Sequence, residues 1–394
     1  MTQKHTRSAA WALAGASVAY CVGNTTGWVS PSIVYGAGQR YGVSDALAGM
    51  LCTVELLLIG LVSILLGNRP SQVSPRRAVL FGAICVVMFN ACSAVLPSFW
   101  LLLVARAMAG IGAGVALYFS IAYVAREARP ERGYAILNVV NNLYCAILLA
   151  TLPVISPKSS GLAYLPYSAV LIALFVPLLA KLPKEMPAGL KADAATRAGA
   201  ALPGRAVTLL LAATFAAIPL SSFTNFSFAI PLGQRAGLTE SQVNLTLGIG
   251  SVISTLGALV SPILALRLGR LRPTYAALAL GLIANVMMVY SPNSILFCCA
   301  TVGNLAVVYF VLPLLLGYAA GVDGTGGVAG IANGAFVASG AISPFVGGLI
   351  SRHFTLGAFA PLAVVCFGSV LLFVFLVERL ASSLRGSMSS CEPI

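Results

Sequence analysis

The chain of 394 residues is strongly apolar: 59% of its residues are hydrophobic, 8% are charged, and the mean hydropathy is +0.95. This composition excludes an ordinary soluble domain and indicates an integral membrane protein. The net charge of +13 does not indicate nucleic-acid binding, because no basic soluble module is present.

Apolar runs long enough to cross a bilayer, about 20 residues each, follow one another along the whole chain. They predict an all-α integral membrane protein with about twelve transmembrane helices. The first run is too long for a cleavable signal and is interpreted as a retained span. The predicted spans are 9–37, 46–67, 78–96, 99–123, 134–155, 162–181, 206–233, 242–266, 273–290, 294–320, 328–351 and 357–379.

The first span carries a polar cluster near mid-membrane, a depth at which transporters built from repeats bind their substrates. The seventh span has a matching cluster. Both clusters are therefore predicted to line a substrate cavity, together with Tyr144 and Tyr309, although helix packing is an alternative role for each aromatic residue. The cluster residues are Asn24, Thr25, Thr26 and Trp28 in the first span and Ser221, Ser222 and Asn225 in the seventh.

The second span contains a carboxylate, Glu55, and the fourth contains Arg106. At 1.5 Å per residue both lie roughly 10 to 14 Å from the same membrane surface, so we expect their side chains to approach each other. A carboxylate that loses its counter-charge in a low-dielectric site takes up a proton, and motion of the pair would then couple proton binding to conformation. The alternative is a permanent ion pair that fixes helix packing.

The fifth span places Asn138, Asn141, Asn142 and Cys145 at positions i, i+3, i+4 and i+7, on one helical face. Amides on one face of a membrane helix point into the bundle. They are predicted either to bind a polar substrate or to hydrogen-bond neighbouring helices, and the pattern does not separate the two.

The chain also contains an internal repeat. GQRYGVSD, residues 38–45, recurs as GQRAGLTE, residues 233–240, with four of eight positions identical at an offset of 195. The same offset pairs Arg77 with Arg272 and Asn138 with Asn333, so Asn333 is predicted to face the same cavity. We therefore expect two parallel six-helix halves, 1–181 and 206–394, joined by a cytoplasmic linker at 182–205; an amphipathic surface helix is the alternative for the middle of this linker.

Basic residues are distributed unequally between the two sides. Arg40, Lys158, Arg235 and Arg352 lie on one side and Arg106 within a span, while the other eighteen of the 23 Lys and Arg residues lie on the side of the termini. By the positive-inside rule both termini are predicted to be cytoplasmic. A multi-pass protein of the plasma membrane, or of the inner membrane in a Gram-negative bacterium, is expected.

Two parallel halves and a basic central linker resemble the major facilitator superfamily. RAMAGIGAG, residues 106–114, is similar to the arginine and spaced glycines of that family's fourth helix, and SGAISPFVGGLI in the eleventh span is also typical. The loops after the second and eighth spans keep basic residues but lack the family's aspartate. The resemblance implies that these loops form cytoplasmic gates, with Arg69 and Arg77 in the first and Arg270 and Arg272 in the second.

The resemblance implies a monomeric secondary transporter that moves a small organic solute by alternating access. Symport with protons is expected, since no ATP-binding motif occurs. An efflux pump for amphipathic drugs or metabolites is one alternative, although LNVVNNLYC in the fifth span lacks the Gly-Pro signature of many antiporters. A transporter-like receptor or scaffold is an alternative from another class. An enzyme is not expected, and neither a cofactor nor a metal site is predicted.

Overall fold

A computed structural model describes residues 2–67, 74–124, 130–155, 161–184, 205–269, 271–323 and 327–389. Across these ranges the chain forms thirteen α-helices and two short 3-10 helices, at Gly161–Ala163 and Leu356–Ala358, and no strand. The helices are α1 Thr2–Tyr41, α2 Asp45–Gly67, α3 Pro75–Ser93, α4 Phe99–Val124, α5 Pro130–Ile155, α6 Tyr164–Leu179, α7 Arg205–Ser227, α8 Ala229–Arg235, α9 Glu240–Leu268, α10 Leu271–Tyr290, α11 Ser294–Asp323, α12 Gly327–His353 and α13 Phe359–Ser389.

The predicted all-α membrane architecture is confirmed. Eleven helices in the described ranges are long and apolar enough to cross a membrane. α1 is not among these eleven, although it is 40 residues long, because the polar residues around Asn24 lower the hydropathy of its apolar run.

One predicted span differs from the structure. The run 206–233 was expected to be a single helix, but it is divided at Phe228 into α7 and the seven-residue α8. Phe228 has φ −105° and ψ 19°, outside helical geometry, and its carbonyl accepts the hydrogen bond of Leu232 N that starts α8. Phe228 itself is neither proline nor glycine, but Pro231 lies three residues later. A proline has no N–H to donate to the carbonyl four residues earlier and its ring clashes with that carbonyl, which here belongs to Ser227, the last residue of α7. The sequence therefore contains a local signal for this break.

The structure divides into two compact units. The first lies within residues 1–192, 227–252 and 344–353, and the second within 193–226, 253–343 and 354–394. The first unit therefore combines the predicted N-terminal half with two segments of the C-terminal half. Most of the predicted linker 182–205, namely 185–204, lies outside the described residues.

Close helix contacts and a buried amide organise the first unit. A Cβ atom on Gly112 of α4 would lie 2.6 Å from the carbonyl oxygen of Gly82 in α3, so these two backbones touch. Asn90 of α3 donates a hydrogen bond of 2.9 Å to Ser168 Oγ of α6. These contacts hold α3 between α4 and α6.

The second unit has an apolar core. Phe215 of α7 and Phe367 of α13 are fully buried and pack with aliphatic residues of α10 and α11, including Leu278 and Val311. In a bilayer the lipid tails are as apolar as these side chains, so van der Waals packing between the helices, rather than removal from water, stabilises this core.

Candidate functional site

The structure brings Glu55 and Arg106 together inside the first unit, as their matched depth predicted. Arg106 Nη1 of α4 lies 3.3 Å from Glu55 Oε2 of α2. The side chains are 1% and 0% exposed, so both charges are removed from solvent. Removing two charges from water costs several kcal/mol per ion, and this cost is offset only when further hydrogen bonds satisfy the remaining polar atoms.

Two hydroxyl groups from other helices supply such hydrogen bonds. Thr26 Oγ1 of α1 donates to Glu55 Oε1 at 2.5 Å, and Arg106 Nη2 donates to Ser93 Oγ of α3 at 2.7 Å. Four helices thus converge on one ion pair. Arg106 Nε has no hydrogen-bond partner among the described residues, which leaves one donor of the guanidinium unused.

Glycines of α4 allow the two charged helices to approach this closely. A Cβ atom on Gly110 would lie 2.7 Å from the carbonyl oxygen of Glu55, and one on Gly114 would lie 2.9 Å from that of Ile59. Real Cβ atoms do not approach backbone atoms to such distances. The spaced glycines that follow Arg106 therefore set the distance between α4 and α2, and with it the geometry of the ion pair.

The polar residues of α1 are bonded mainly within the first unit. Asn24 Nδ2 donates to the carbonyl oxygen of Tyr20 at 2.8 Å. Thr25 Oγ1 bonds the carbonyl of Cys21 and lies 3.2 Å from Tyr144 Oη of α5. Thr25, Thr26, Trp28 and Tyr144 are buried, whereas Asn24 is partly exposed.

The asparagine face of α5 divides into an accessible part and a buried part. Asn138 is partly exposed, donates to the carbonyl oxygen of Tyr134 and accepts a long hydrogen bond of 3.4 Å from Tyr20 Oη. Asn141 and Asn142 are buried, and Ser251 Oγ of α9 donates to the backbone carbonyl of Asn142. This contact joins the backbone of α5 to α9, while Asn138 stays accessible.

The second unit contains an amide network that connects three helices. Asn225 Nδ2 of α7 donates to Asn285 Oδ1 of α10 at 2.8 Å, and Asn285 Nδ2 donates to Asn304 Oδ1 of α11 at 3.0 Å. Asn304 Nδ2 in turn donates to the carbonyl oxygen of Ser222 at 3.3 Å. Ser221, Ser222 and Asn225, predicted to line a cavity, are all buried, and their side-chain oxygens have no hydrogen-bond partner in the described part of the chain.

Three of the residues that complete these two networks were not predicted: Ser93, Asn285 and Asn304. Asn285 had a sequence signal, because it lies in an apolar run and pairs with Asn90 at the repeat offset of 195. Ser93 had none, since the residue at the matching position is Met288.

The remaining predicted site residues are placed as follows. Tyr309 of α11 is partly buried, and Arg77 and Arg272 are exposed near the starts of α3 and α10. Arg69 and Arg270 lie outside the described residues, as does the side chain of Asn333. Within the described ranges, no group of three or more His, Cys, Asp or Glu side chains is placed to hold a metal ion.

Comparison with known proteins identifies the family. The model of the Major Facilitator Superfamily matches residues 12–344. The chain belongs to the major facilitator superfamily. Members of this superfamily with similar structures are transporters rather than enzymes, and the protein accordingly has the fold of a multi-pass membrane transporter.

Solved structures of major facilitator proteins resemble the chain over nearly its full length. The crystal structure of a D-xylose-proton symporter has a TM-score of 0.69 at 15% identity and covers 92% of this chain and 96% of its own. A partially occluded inward open xylose transporter XylE from E. coli has a TM-score of 0.69 at 14% identity, with 92% and 97% covered. A nucleoside transporter NupG (D323A mutant) has a TM-score of 0.67 at 10% identity, with 94% and 98% covered. No curated protein sequence matches the chain.

Proposed function

We propose that this major facilitator protein is a secondary active transporter that moves a small organic solute by alternating access, with proton symport coupled through Glu55. The observation that carries the proposal is the buried Glu55–Arg106 pair, since ionisable residues at membrane depth are costly and mark ion or proton pathways. We further propose that it works as a monomer in the plasma membrane. Both termini are proposed to be cytoplasmic, because basic residues concentrate on the side of the termini.

The surroundings of Glu55 support a link between its protonation and the position of α4. In the observed arrangement the ionised carboxylate is stabilised by Arg106 and by the hydrogen bond from Thr26. A movement of α4 away from α2 would remove the arginine, and a carboxylate without its counter-charge in a low-dielectric site binds a proton. Proton binding and helix movement would then favour each other.

The substrate class is tested with a thermal-shift panel on the purified protein, since a ligand that binds only the folded state raises the apparent stability. The probes are D-xylose and uridine, a sugar and a nucleoside, because two structural neighbours are a D-xylose-proton symporter and a nucleoside transporter, and tetraphenylphosphonium, an amphipathic cation. Stabilisation by a sugar or a nucleoside supports transport of a polar solute. Stabilisation by the cation alone favours the efflux pump. If none of the three probes crosses the membrane of proteoliposomes that contain the protein, the proposal is contradicted.

The role of Glu55 is tested with Glu55→Gln, which keeps the shape and part of the hydrogen bonding but removes the titratable charge. For the probe that binds, uptake driven by an imposed pH gradient should be lost, while exchange without a net proton movement should persist. The control is the unsubstituted protein with and without a protonophore that collapses the gradient.

A structural role for Glu55 gives a different result. The amide would leave Arg106 buried without its counter-charge, so thermal stability would fall, and uptake and exchange would decrease together. Unchanged gradient-driven uptake by the variant would contradict the coupling role.

A further inference from the structure

Two acidic residues occupy the same position in the two copies of the repeat. Asp45 ends GQRYGVSD and Glu240 ends GQRAGLTE, at the offset of 195. Asp45 begins α2, and Glu240 begins α9. Both residues lie at the end of the first unit that is opposite Thr2, and we call it the Asp45 end. This end also includes the 3-10 helix Gly161–Ala163 and the end of α12 at His353.

Each carboxylate bonds a segment from the other half of the sequence, within the first unit. Asp45 Oδ2, from the N-terminal half, accepts a hydrogen bond from Ser351 Oγ of α12. Glu240 Oε1, from the C-terminal half, accepts a hydrogen bond of 2.6 Å from the backbone N–H of Gly161. The two contacts are therefore reciprocal, because each half supplies one carboxylate and one donor.

Backbones are in direct contact beside Asp45, and buried side chains are hydrogen-bonded beside Glu240. A Cβ atom on Gly348 of α12 would lie 2.3 Å from the carbonyl oxygen of Asp45, and one on Gly49 of α2 would lie 2.1 Å from that of Pro344. Beside Glu240, Ser32 Oγ of α1 donates to Asn244 Oδ1 of α9 at 3.2 Å, and both residues are fully buried. The Asp45 end of this unit is thus closely packed where its two carboxylates bond.

We propose that Asp45 and Glu240 form a two-point latch that holds the Asp45 end closed and must release for that end to open. Hydrogen bonds to an ionised carboxylate are roughly twice as strong as bonds between neutral groups, so the two contacts weight the equilibrium toward the closed state. The latch rests on the proposed alternating-access cycle, but it needs neither an identified substrate nor coupling to protons.

A native thiol beneath one latch point can report its release. Cys52 of α2 is 0% exposed, and it follows Asp45 and Gly49 at i+7 and i+3, so the three residues share one face of the helix. Because Pro344 packs against Gly49 on this face, opening at the Asp45 contact should expose the thiol. Cys366 of α13, buried in the second unit, serves as a reference thiol.

The experiment compares Asp45→Asn, Glu240→Gln and the double variant of the full-length protein in detergent. N-ethylmaleimide labelling of Cys52 and Cys366 is followed over time by peptide mass spectrometry. An amide can still accept a hydrogen bond but lacks the charge, so each single variant should label Cys52 about 3- to 10-fold faster than the unsubstituted protein. The double variant should be faster than either, and labelling of Cys366 should not change.

Two controls separate a latch from local helix capping. Gln242→Ala, in the first turn of α9, removes the hydrogen bonds that Gln242 Oε1 accepts from Thr239 N and Thr239 Oγ1. It keeps Glu240 and its partner Gly161, and should leave labelling unchanged. Ser351→Ala removes the donor to Asp45 while keeping the carboxylate. It should reproduce the effect of Asp45→Asn, and combining the two should add little.

Other results would overturn the proposal. Unchanged labelling of Cys52 in the double variant, or fully additive effects of Asp45→Asn and Ser351→Ala, would contradict a latch. Faster labelling of both thiols would indicate general loosening and would also count against it. Because the assay uses neither a substrate nor a pH gradient, a failure of the proposed transport would leave its result unaffected.

Discussion

Gly110→Ala should weaken the contact between α2 and α4. The added methyl group would lie 2.7 Å from the carbonyl oxygen and 3.1 Å from the Cα atom of Glu55. Optimal contacts of this kind lie at about 3.5 Å or more, so the carbonyl oxygen and the added methyl group must separate by about 0.8 Å. Such overpacking costs about 1–3 kcal/mol, which the better helix propensity of alanine offsets by about 0.5–1 kcal/mol.

Gly60→Ala is the matched control, because it makes the same substitution on α2 at a position with no atom within 4 Å of the added methyl group. It should be neutral or stabilising, by up to about 1 kcal/mol. The two variants should therefore differ by about 1–3 kcal/mol, equivalent to about 1–4 °C in apparent Tm for a chain of this size. Thermal unfolding in detergent measures this, and a Gly110→Ala protein as stable as Gly60→Ala would refute the argument that glycine sets the distance between these helices.

Two further substitutions test the buried polar networks. Ser93→Ala removes the acceptor that lies 2.7 Å from Arg106 Nη2, and leaving this buried charged group unsatisfied should cost about 1–3 kcal/mol of unfolding free energy in chemical denaturation. Asn285→Ala should cost about 2–4 kcal/mol, because it breaks hydrogen bonds with buried asparagines of two other helices. Asn293, just before α11, only accepts an exposed hydrogen bond from Leu296 N, so Asn293→Ala should cost about 1 kcal/mol. Equal losses of unfolding free energy in Asn285→Ala and Asn293→Ala would contradict the contribution of the network.

The approach of Glu55 and Arg106 could be predicted because depth in a membrane helix follows directly from counting residues. The helices themselves were predictable for a related reason: a bilayer demands long apolar runs with internally satisfied backbones. The roles of Glu55, Arg106 and the proposed cavity residues stay predictions until flux is measured.

Contacts that depend on the rotation of one helix about its axis could not be predicted in the same way. Ser93 bonds Arg106 because α3 turns that hydroxyl toward α4, and a single serine in an apolar run does not reveal its direction. The hydrogen bond between Asn225 and Asn285 of α10 likewise depends on the rotation of both helices, and the place of Asn225 in a cavity stays a prediction. By contrast, the break at Phe228 has a local signal, because Pro231 cannot donate the helical hydrogen bond to Ser227.

The sequence separation of the buried contacts has a consequence for biogenesis. The network of Thr26, Glu55, Ser93 and Arg106 lies within the first four helices, so it can form early, while the ribosome is still translating the C-terminal half. The contact between Asp45 and Ser351 joins residues 306 positions apart and has to wait for α12 to be inserted. Until then the start of α2 lacks this partner, which makes the closed Asp45 end one of the last features of the molecule to assemble.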